Sequence, residues 1–337
     1  MHKIPVSLSI IAFVLFESCN VSERRVFLTK STCITGDIST DSLSSVKVID
    51  SDTLVLSVDD ILLFNNQIIL ECLEQSANVF SLYDLNGVEV SAFGKIGRAE
   101  NEFSDGAGIC GQNDSGNIIV NDVNLAAIKY VDIQASVESG QCVVSEKYPT
   151  SQRVINVSVI DDSLMVYEQE ILDNYELVVK SLDDRLIDKE IILYQASPNP
   201  FMRYRSFMKV NGDKSMVALA MSRMNQVNFL SLESGKRFAY SLYKNPEYPS
   251  KIDAKKMVYY CDITASDKYV YVLYMNQTHD ESYEVEKPME IHVFDWDGSF
   301  VKRICVNESI CRLSASPDDK ILVASDIKDN VFKYYLE

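Results

Sequence analysis

Short hydrophobic runs, separated by turns rich in Asn, Asp, Ser and Gly, recur along the chain with a period of about fifty residues. Six turn residues, spaced by 49, 47, 50, 55 and 51 positions, mark this repeat: Asn66, Ser115, Asp162, Gly212, Asp267 and Asp318. Each turn is followed by an apolar strand and then by a second strand, at residues 68–73 and 78–85 in the first period. A repeat of this length in a chain of strands predicts an all-β fold, a six-bladed β-propeller in which each period forms one blade.

The last period lacks a strand that the others contain. Five periods have a further strand that completes a four-stranded blade, at residues 89–93, 141–147, 189–193, 237–242 and 300–306. The sixth period reaches Glu337 after only three strands. We therefore expect an N-terminal strand to complete the last blade and close the ring, because closure removes exposed sheet edges. The two candidates for this strand are residues 46–49 and 53–58.

The N-terminus has the pattern of an export signal. A basic start at His2 and Lys3 precedes an apolar run at residues 4–16, which is too short to span a bilayer. Cys19 follows the small residue Ser18, an arrangement that resembles a bacterial lipoprotein signal. Such signals are cut before the cysteine, which then carries acyl chains that hold a folded domain to a membrane. The alternative is an ordinary secretory signal in which Cys19 is incidental.

These patterns divide the chain into three parts. Residues 1–18 form a lipoprotein signal peptide, residues 19–45 a tether and possible closing strand, and residues 46–337 the propeller. We expect the mature protein to be a monomer on the periplasmic side of the cell envelope, anchored by lipid at Cys19.

Charge and cysteine content limit the partners of the protein. The formal net charge is −17 and the isoelectric point is about 4.7, so the surface repels nucleic acid and anionic membranes. We expect no nucleic-acid partner, and contact with a membrane only through the anchor. The eight cysteines form no C-x-x-C motif and no Cys/His cluster, which argues against a zinc or thioredoxin-like site. Cys305 and Cys311 flank one loop and are candidates for a disulfide.

One segment after the first blade carries a family resemblance. It contains a Phe-Gly pair and then a Gly-Arg…Asn-Glu-Phe pattern, formed by Phe93, Gly94, Gly97, Arg98, Asn101, Glu102 and Phe103. This segment resembles the TolB-like six-bladed β-propeller lipoproteins of Gram-negative bacteria, although Ala99 and Glu100 replace the usual Gly-Pro. The resemblance implies a propeller fold and a periplasmic address, and it implies no reaction.

The same segment has a physical interpretation. Gly94 and Gly97 permit positive φ angles where the chain crosses between blades, and Phe103 is suited to fill the seam between them. The sequence therefore favours a structural role for this segment over a role in ligand contact.

A ligand site is expected on one face of the propeller. The connections from strand four to the next blade share this face with the connections from strand two to strand three, and long loops on a rigid scaffold are where binding usually resides. The aromatic and cationic candidates on these loops are Lys95, Arg98, Arg203, Tyr204, Arg205 and Tyr248. Aromatic rings stack on sugar faces and Arg pairs with carboxylates, so we expect a sugar or an organic acid. The alternative is that these residues seal blade seams and balance nearby acids.

The sequence contains none of the common catalytic motifs. G-x-S-x-G, H-E-x-x-H, the P-loop and G-x-G-x-x-G are all absent. His292 falls within an alternating strand and is expected to be packed, whereas His279 lies in a polar loop. The segment Asp295-Trp296-Asp297-Gly298 contains part of a calcium-loop pattern but is better interpreted as a turn, which leaves calcium as a possible cofactor.

Two functional hypotheses remain open. The first is a non-enzymatic propeller that binds a small ligand or an envelope protein. The second is a propeller hydrolase or lyase that acts on a carbohydrate or lactone through channel carboxylates. Three or more Asp, Glu or Asn side chains converging at one channel mouth would favour the enzyme, and an apolar or hydrated channel would favour the binding protein.

Overall fold

Six sheets follow one another along the chain in the computed structural model, and each forms one blade of a β-propeller. The structure describes residues 26–36, 38–51, 57–73, 78–113, 115–150, 154–161, 164–181, 187–197, 203–213, 215–244 and 257–336. The first strand of each blade contacts the first strand of both neighbouring blades, so these six strands surround a central channel. The prediction of an all-β, six-bladed propeller is confirmed.

Within the described part of the N-terminal segment, three strands precede the first blade. They are β1 (Ser31–Ile34), β2 (Thr40–Ser42) and β3 (Ser45–Ile49). Blade 1 contains β4 (Asp60–Phe64), β5 (Gln67–Glu71), β6 (Phe80–Asp84) and β7 (Glu89–Phe93). A small two-stranded sheet of β8 (Lys95–Ile96) and β9 (Glu102–Phe103) follows it. Blade 2 contains β10 (Ile109–Gln112), β11 (Asn117–Asp122), β12 (Ala127–Asp132) and β13 (Val144–Pro149).

The other four blades repeat this plan. Blade 3 contains β14 (Ile155–Asp161), β15 (Leu164–Ile171), β16 (Asn174–Ser181) and β17 (Ile187–Ile192). Blade 4 contains β18 (Ser206–Val210), β19 (Met216–Met221), β20 (Val227–Ser231) and β21 (Arg237–Leu242). Blade 5 contains β22 (Met257–Ala265), β23 (Tyr269–Thr278), β24 (Met289–Asp295) and β25 (Phe300–Val306). Blade 6 contains β26 (Ile310–Ala315), β27 (Ile321–Asp326) and β28 (Val331–Tyr335).

Blade 6 is completed from the other end of the chain. Strand β3 pairs antiparallel with β28, and the register places Ile49 opposite Val331 and Ser45 opposite Tyr334. The prediction that an N-terminal strand closes the ring is therefore confirmed, and the first of the two candidate segments supplies it.

Two further N-terminal strands add to the outer edges of blades. Strand β1 pairs parallel with β21 of blade 4, and β2 pairs parallel with β25 of blade 5. Both lie within residues 19–45, the segment predicted from the sequence to be a tether and possible closing strand. Short segments of Ser, Thr and Asp that pair along one edge lack the apolar alternation that reveals a strand.

Burial within a blade follows the position of each strand. Central strands such as β5 and β11 have side chains buried on both faces, because each blade packs against a neighbour on either side. The outer strand β7 begins with two exposed residues and becomes buried only at Phe93. Among the described residues, the buried hydrophobic side chains form six clusters, each of which joins two neighbouring blades.

Two short helices lie wholly within the described residues. Helix α1 (Ile133–Ser139) lies between β12 and β13; Asp132 caps its start by accepting a bond from Ala135 N, and Gly140 ends it at φ 66°. Helix α2 (Glu281–Glu284) lies in the connection between β23 and β24. The seven cysteines of the described residues are free thiols, including Cys305 and Cys311.

Candidate ligand site in the central channel

The Gly94–Phe103 segment packs at the seam between blades 1 and 2. Phe103 is fully buried, and its ring meets the ring of Phe80 edge to face at 5.1 Å. Gly94 has a φ angle of +84°, as expected. Gly97 does not have a positive φ. A side chain there would lie 2.0 Å from a carboxylate oxygen of Glu102, so it would displace this carboxylate from its hydrogen bond with Ala99 N (2.8 Å).

A buried ion pair packs against this segment and forms hydrogen bonds with it. Lys129 Nζ lies 2.9 Å from Asp122 Oδ2, and both side chains are fully buried. The ammonium of Lys129 also donates to Glu102 O and lies 4.7 Å from the centroid of the Phe103 ring. The Asp122 carboxylate accepts hydrogen bonds from the hydroxyl and main-chain N–H of Ser104. This pair was not predicted from the sequence, although a lysine within the apolar run of β12 was its signal.

Two of the candidate ligand residues lie on this segment. Lys95 is exposed and lines a groove of about 530 Å³ between blades 1 and 2, together with Asn78, Asn101 and Gln141. Arg98 is also exposed. Both side chains are open to solvent, as a ligand-binding role requires.

The other candidates lie at the connection between blades 3 and 4. Tyr204 is fully buried, stacks on Tyr194 with ring centroids 4.7 Å apart, and donates a hydrogen bond from its hydroxyl to Gln195 O. Arg203 is half-buried, and Arg205 is exposed, with its guanidinium 5.9 Å from the centroid of the Phe207 ring. Tyr204 therefore packs in the seam, whereas the two arginines reach its surface. Tyr248 and Cys19 lie outside the described residues.

A cavity of about 270 Å³ lies in the channel, where first strands from five blades meet. The polar side chains that line it come from these blades and are Asp60, Asn121, Asn156, Lys209 and Asp262. The apolar part of the lining includes Ile109, Val157, Phe207, Met208 and Ile263. A cavity of this kind, with a few convergent polar groups, is typical of a small-ligand site.

The charges in the channel alternate between acid and base. Burial raises the pKa of Asp262 to about 6, and the charge of Asp60 adds to the shift while Arg312 opposes it. Burial also raises the pKa of Asp60, against the lowering effects of Arg312 and Lys209. Arg312 lies on β26, in the one blade that the cavity lining lacks, and the two acids raise its pKa against burial. Two carboxyl groups and two cations thus act on one another around the channel.

The two cations are not neutralised by direct contact. Arg312 donates from Nε to Asp59 O (2.7 Å) and from Nη1 to Cys311 O (3.0 Å), so main-chain oxygens hold its guanidinium in place. Within the described ranges, no carboxylate oxygen lies within 4.0 Å of the side-chain nitrogens of Arg312 or Lys209. Both cations therefore retain donors for a bound anion.

Two buried oxygen atoms near the cavity also lack a partner among the described residues. Asn121 donates from Nδ2 to Val154 O (3.1 Å), but its Oδ1 accepts nothing. Glu71 Oε2 accepts from Ile109 N (3.2 Å), and its Oε1 is unpaired. Burial, together with the charge of Asp60, raises the pKa of Glu71 to about 8, so this carboxyl group is protonated at neutral pH. Unpaired buried polar atoms are costly and commonly mark a site for water or ligand.

Most of the polar lining also connects neighbouring blades. Asn156 donates to Ser206 O (2.9 Å) and accepts from Met208 N (3.1 Å). Asp262 Oδ2 accepts from Leu313 N (2.7 Å). These bonds replace the ladder bonds that first strands of different blades do not form, and they fix the side chains around the channel.

Four Asp and Asn side chains thus line one cavity, an arrangement that favours the enzyme hypothesis, although the same lining also contains the cation Lys209. In the part of the chain that the structure describes, no group of three or more His, Cys, Asp or Glu side chains is placed to hold a metal ion. His292 is fully buried and stacks on Tyr274 at 4.6 Å, which confirms the prediction that it is a packed strand residue. Burial lowers its pKa, against the raising effect of Glu290.

Comparisons with known proteins identify the fold. The chain is similar to a protein of Bacteroides fragilis NCTC 9343 named as exported (14% identity, TM-score 0.57, 91% of this chain and 98% of that chain). It is also similar to a member of the DUF4221 family from Bacteroides vulgatus ATCC 8482 (13% identity, TM-score 0.60, 88% and 98%). Kuenenia stuttgartiensis hydrazine synthase matches with 13% identity and a TM-score of 0.50, over 91% and 98%. At these identities the likeness shows the fold alone.

Two further comparisons, and the length of the helices, complete the description of the chain. None of the curated proteins compared with the chain matches it. None of the helices in the described residues has the length and apolar character needed to cross a membrane. The profile of the TolB-like 6-blade propeller-like family matches residues 39–318, which is most of the chain. The chain therefore belongs to the TolB-like 6-blade propeller-like family.

Proposed function

We propose that this protein is a lipid-anchored propeller that binds a small carboxylate ligand, a sugar acid or an organic acid, in its channel without converting it. The observation that supports this most directly is Lys209, which lines the cavity and forms no ion pair within the described residues. Arg312 adds a second positive charge, which acts on Asp60 and Asp262 of the lining. A carboxylate would pair with these cations, while Asp60 and Asp262 would accept bonds from ligand hydroxyl groups.

A titration of candidate acids tests this proposal. Hexuronic, aldonic and dicarboxylic acids are screened by thermal shift, and those that stabilise the protein are measured by calorimetry. We expect Lys209→Met to weaken binding by about ten- to a hundredfold, because one lost charge-assisted hydrogen bond is worth roughly 1.5–3 kcal/mol. Lys320→Met is the matched control, since Lys320 is 75% exposed and pairs with Asp318 at 2.7 Å, outside the cavity lining. Equal affinities for the two variants would exclude the channel as the site.

The loop residues are a second candidate site, which can be tested separately. Lys95, Arg98, Arg203 and Arg205 lie on blade connections rather than on the first strands around the channel. If the double variant Arg203→Ala/Arg205→Ala loses affinity while Lys209→Met retains it, then the ligand binds at the loops. If the double variant instead melts many degrees lower without ligand, then these arginines seal the seam.

A hydrolase or lyase is the second candidate function. Asp262, with a pKa of about 6, and Glu71, with a pKa of about 8, have the raised values that a general acid needs near neutral pH. Prolonged incubation of a bound acid, followed by chromatography of the products, separates the hypotheses. Product formation that Asp262→Asn abolishes would identify an enzyme, whereas unchanged ligand supports binding alone.

We further propose that the anchor at Cys19 holds the protein on the periplasmic side of the cell envelope. The lipoprotein-like signal and the exported structural relative support this location. Metabolic labelling with a fatty acid should mark the wild-type protein and leave Cys19→Ser unmarked, because the thiol of Cys19 is the site of acylation. Equal labelling of the two proteins would rule out the anchor.

A further inference from the structure

An exposed corner of the propeller lies where the described part of the chain begins. Val26 O accepts a hydrogen bond from Gln195 N (2.9 Å), and Ser197 N donates to Asp173 O (2.9 Å). Asp173 belongs to the turn between β15 and β16. Residue 26 is therefore linked to the tip of this hairpin through a few residues of main chain.

Four large hydrophobic side chains are exposed around this corner. They are Leu28 (45% exposed), Ile171 (42%), Leu172 (89%) and Ile192 (47%). We call these residues the apolar corner. Arg237 connects the main chain beside Leu28 to that of Ile192, because its guanidinium donates to Phe27 O and to Ile192 O. Exposed apolar side chains that are grouped on one part of a protein mark an interaction surface more often than isolated ones do.

The backbone at Leu172 strengthens this interpretation. Ile171 pairs with Asn174, so the hairpin turns through two residues, and the first of these, Leu172, has a φ angle of 55°. Gly, Asn and Asp adopt this left-handed conformation readily, whereas leucine is strained there. Leu172 is also the most exposed large hydrophobic residue of the described chain, so burial within the protein does not offset the strain. The stability of the hairpin does not account for this residue, which points to a partner outside the protein.

The position of the proposed anchor identifies that partner. Cys19 precedes Val26 by seven residues, and a chain of that length spans at most about 25 Å. We propose that the apolar corner rests on the phospholipid surface to which Cys19 is anchored. This inference depends on the lipid anchor proposed above, and it revises the expectation that the protein contacts a membrane through the anchor alone. The exposed acids Glu170 and Asp173 flank Leu172, so the corner suits zwitterionic headgroups better than anionic ones.

Fluorescence quenching tests this contact directly. Acylated full-length protein that carries Leu172→Trp is reconstituted on phosphatidylcholine vesicles, with or without brominated acyl chains, and recovered by flotation. The wild-type protein supplies the baseline from Trp296, which is 9% exposed. We expect most of the added fluorescence of Leu172→Trp to be lost on brominated vesicles.

The matched control lies on the opposite face. Val88 is 62% exposed in the turn between β6 and β7, and Val88→Trp should show no loss. If Leu172→Trp floats with the vesicles but is quenched no more than Val88→Trp, the corner does not meet lipid, although the anchor stands. If the fatty acid does not label the wild-type protein, then the anchor is excluded, and this inference is excluded with it.

A stability measurement completes the test. Asn tolerates the left-handed conformation better than leucine does, so Leu172→Asn should melt at the same temperature as the wild type or higher. A melting temperature many degrees lower would assign Leu172 to the stability of the hairpin and overturn the proposal.

Discussion

Truncation of the chain after Asp329 is expected to prevent ring closure and to give insoluble protein. The deleted residues include β28, in which Val331 and Tyr334 are fully buried and Phe332 is 7% exposed. Loss of three buried side chains of this size, at about 2–5 kcal/mol each, removes as much stability as a typical domain has. The truncation also leaves β3 and β27 without the strand that joins them, and such open edges promote aggregation.

Point substitutions in the same strand provide a finer measurement. Tyr334 is fully buried, and its hydroxyl donates to Glu308 Oε2 at 2.8 Å, so Tyr334→Ala should cost about 3–5 kcal/mol of unfolding free energy. Tyr335 is 57% exposed on the other side of the strand, and Tyr335→Ser should change stability by about 0.5 kcal/mol or less. Denaturant titration gives both values. A truncated protein that stays soluble and unfolds cooperatively would contradict the role of β28 in closure.

The repeat and its closure were predictable because they depend on local patterns. The turn at Asn65 and Asn66 is an example: both residues have positive φ, at 46° and 59°, and the strands pair directly on either side of them. Asn adopts this conformation readily, so its presence between two apolar runs indicates a tight hairpin. The closing strand was predictable by counting, because the last period is one strand short.

The candidate channel site was not predictable from the sequence, because its members come from different blades. Asp60 and Asp262 lie about two hundred residues apart in sequence, and each occupies a first strand with few distinguishing features. Which side of such a strand faces the channel depends on how the blades pack. The sequence predicted a site on the charged loops, and this remains a prediction for the exposed cations. Tyr204 differs from the expectation, because a tyrosine between two arginines suits a sugar site, yet its ring is buried in a seam between blades.

Polar side chains at the channel and seams serve two purposes at once. Asn156 and Asp262 hold neighbouring first strands together through main-chain bonds, and they also line the cavity. Their geometry is therefore fixed before any ligand arrives, which lowers the entropic cost of binding. In the proposed binding mode, Lys209 and Arg312 would supply the positive charge that recognises the ligand.

Removal of either charge of the buried Lys129–Asp122 pair is expected to lower the unfolding free energy more than removal of any other single charge. Lys129→Met should destabilise the protein by about 3–5 kcal/mol, because it leaves the Asp122 carboxylate buried without its cation. Asp122→Asn should have a similar effect, since Lys129 would then lack its anion. The double variant should lose less than the sum of the two single losses, because neither unpaired charge remains.

Denaturant unfolding at neutral pH measures these losses, with Lys95→Met as the exposed control in the same segment. The pH dependence gives a second test. Burial raises the pKa of Asp122, but hydrogen bonds from Ser104 and Lys129 outweigh it and hold the pKa below its usual value. The stabilisation by this carboxylate is therefore present above the pKa of the unfolded chain and is lost as the pH falls through the folded pKa. The difference in unfolding free energy between the wild type and Asp122→Asn should therefore become smaller in acid. A difference that stayed constant with pH would show that this pair does not stabilise the seam. A Lys129→Met variant as stable as Lys95→Met would show the same.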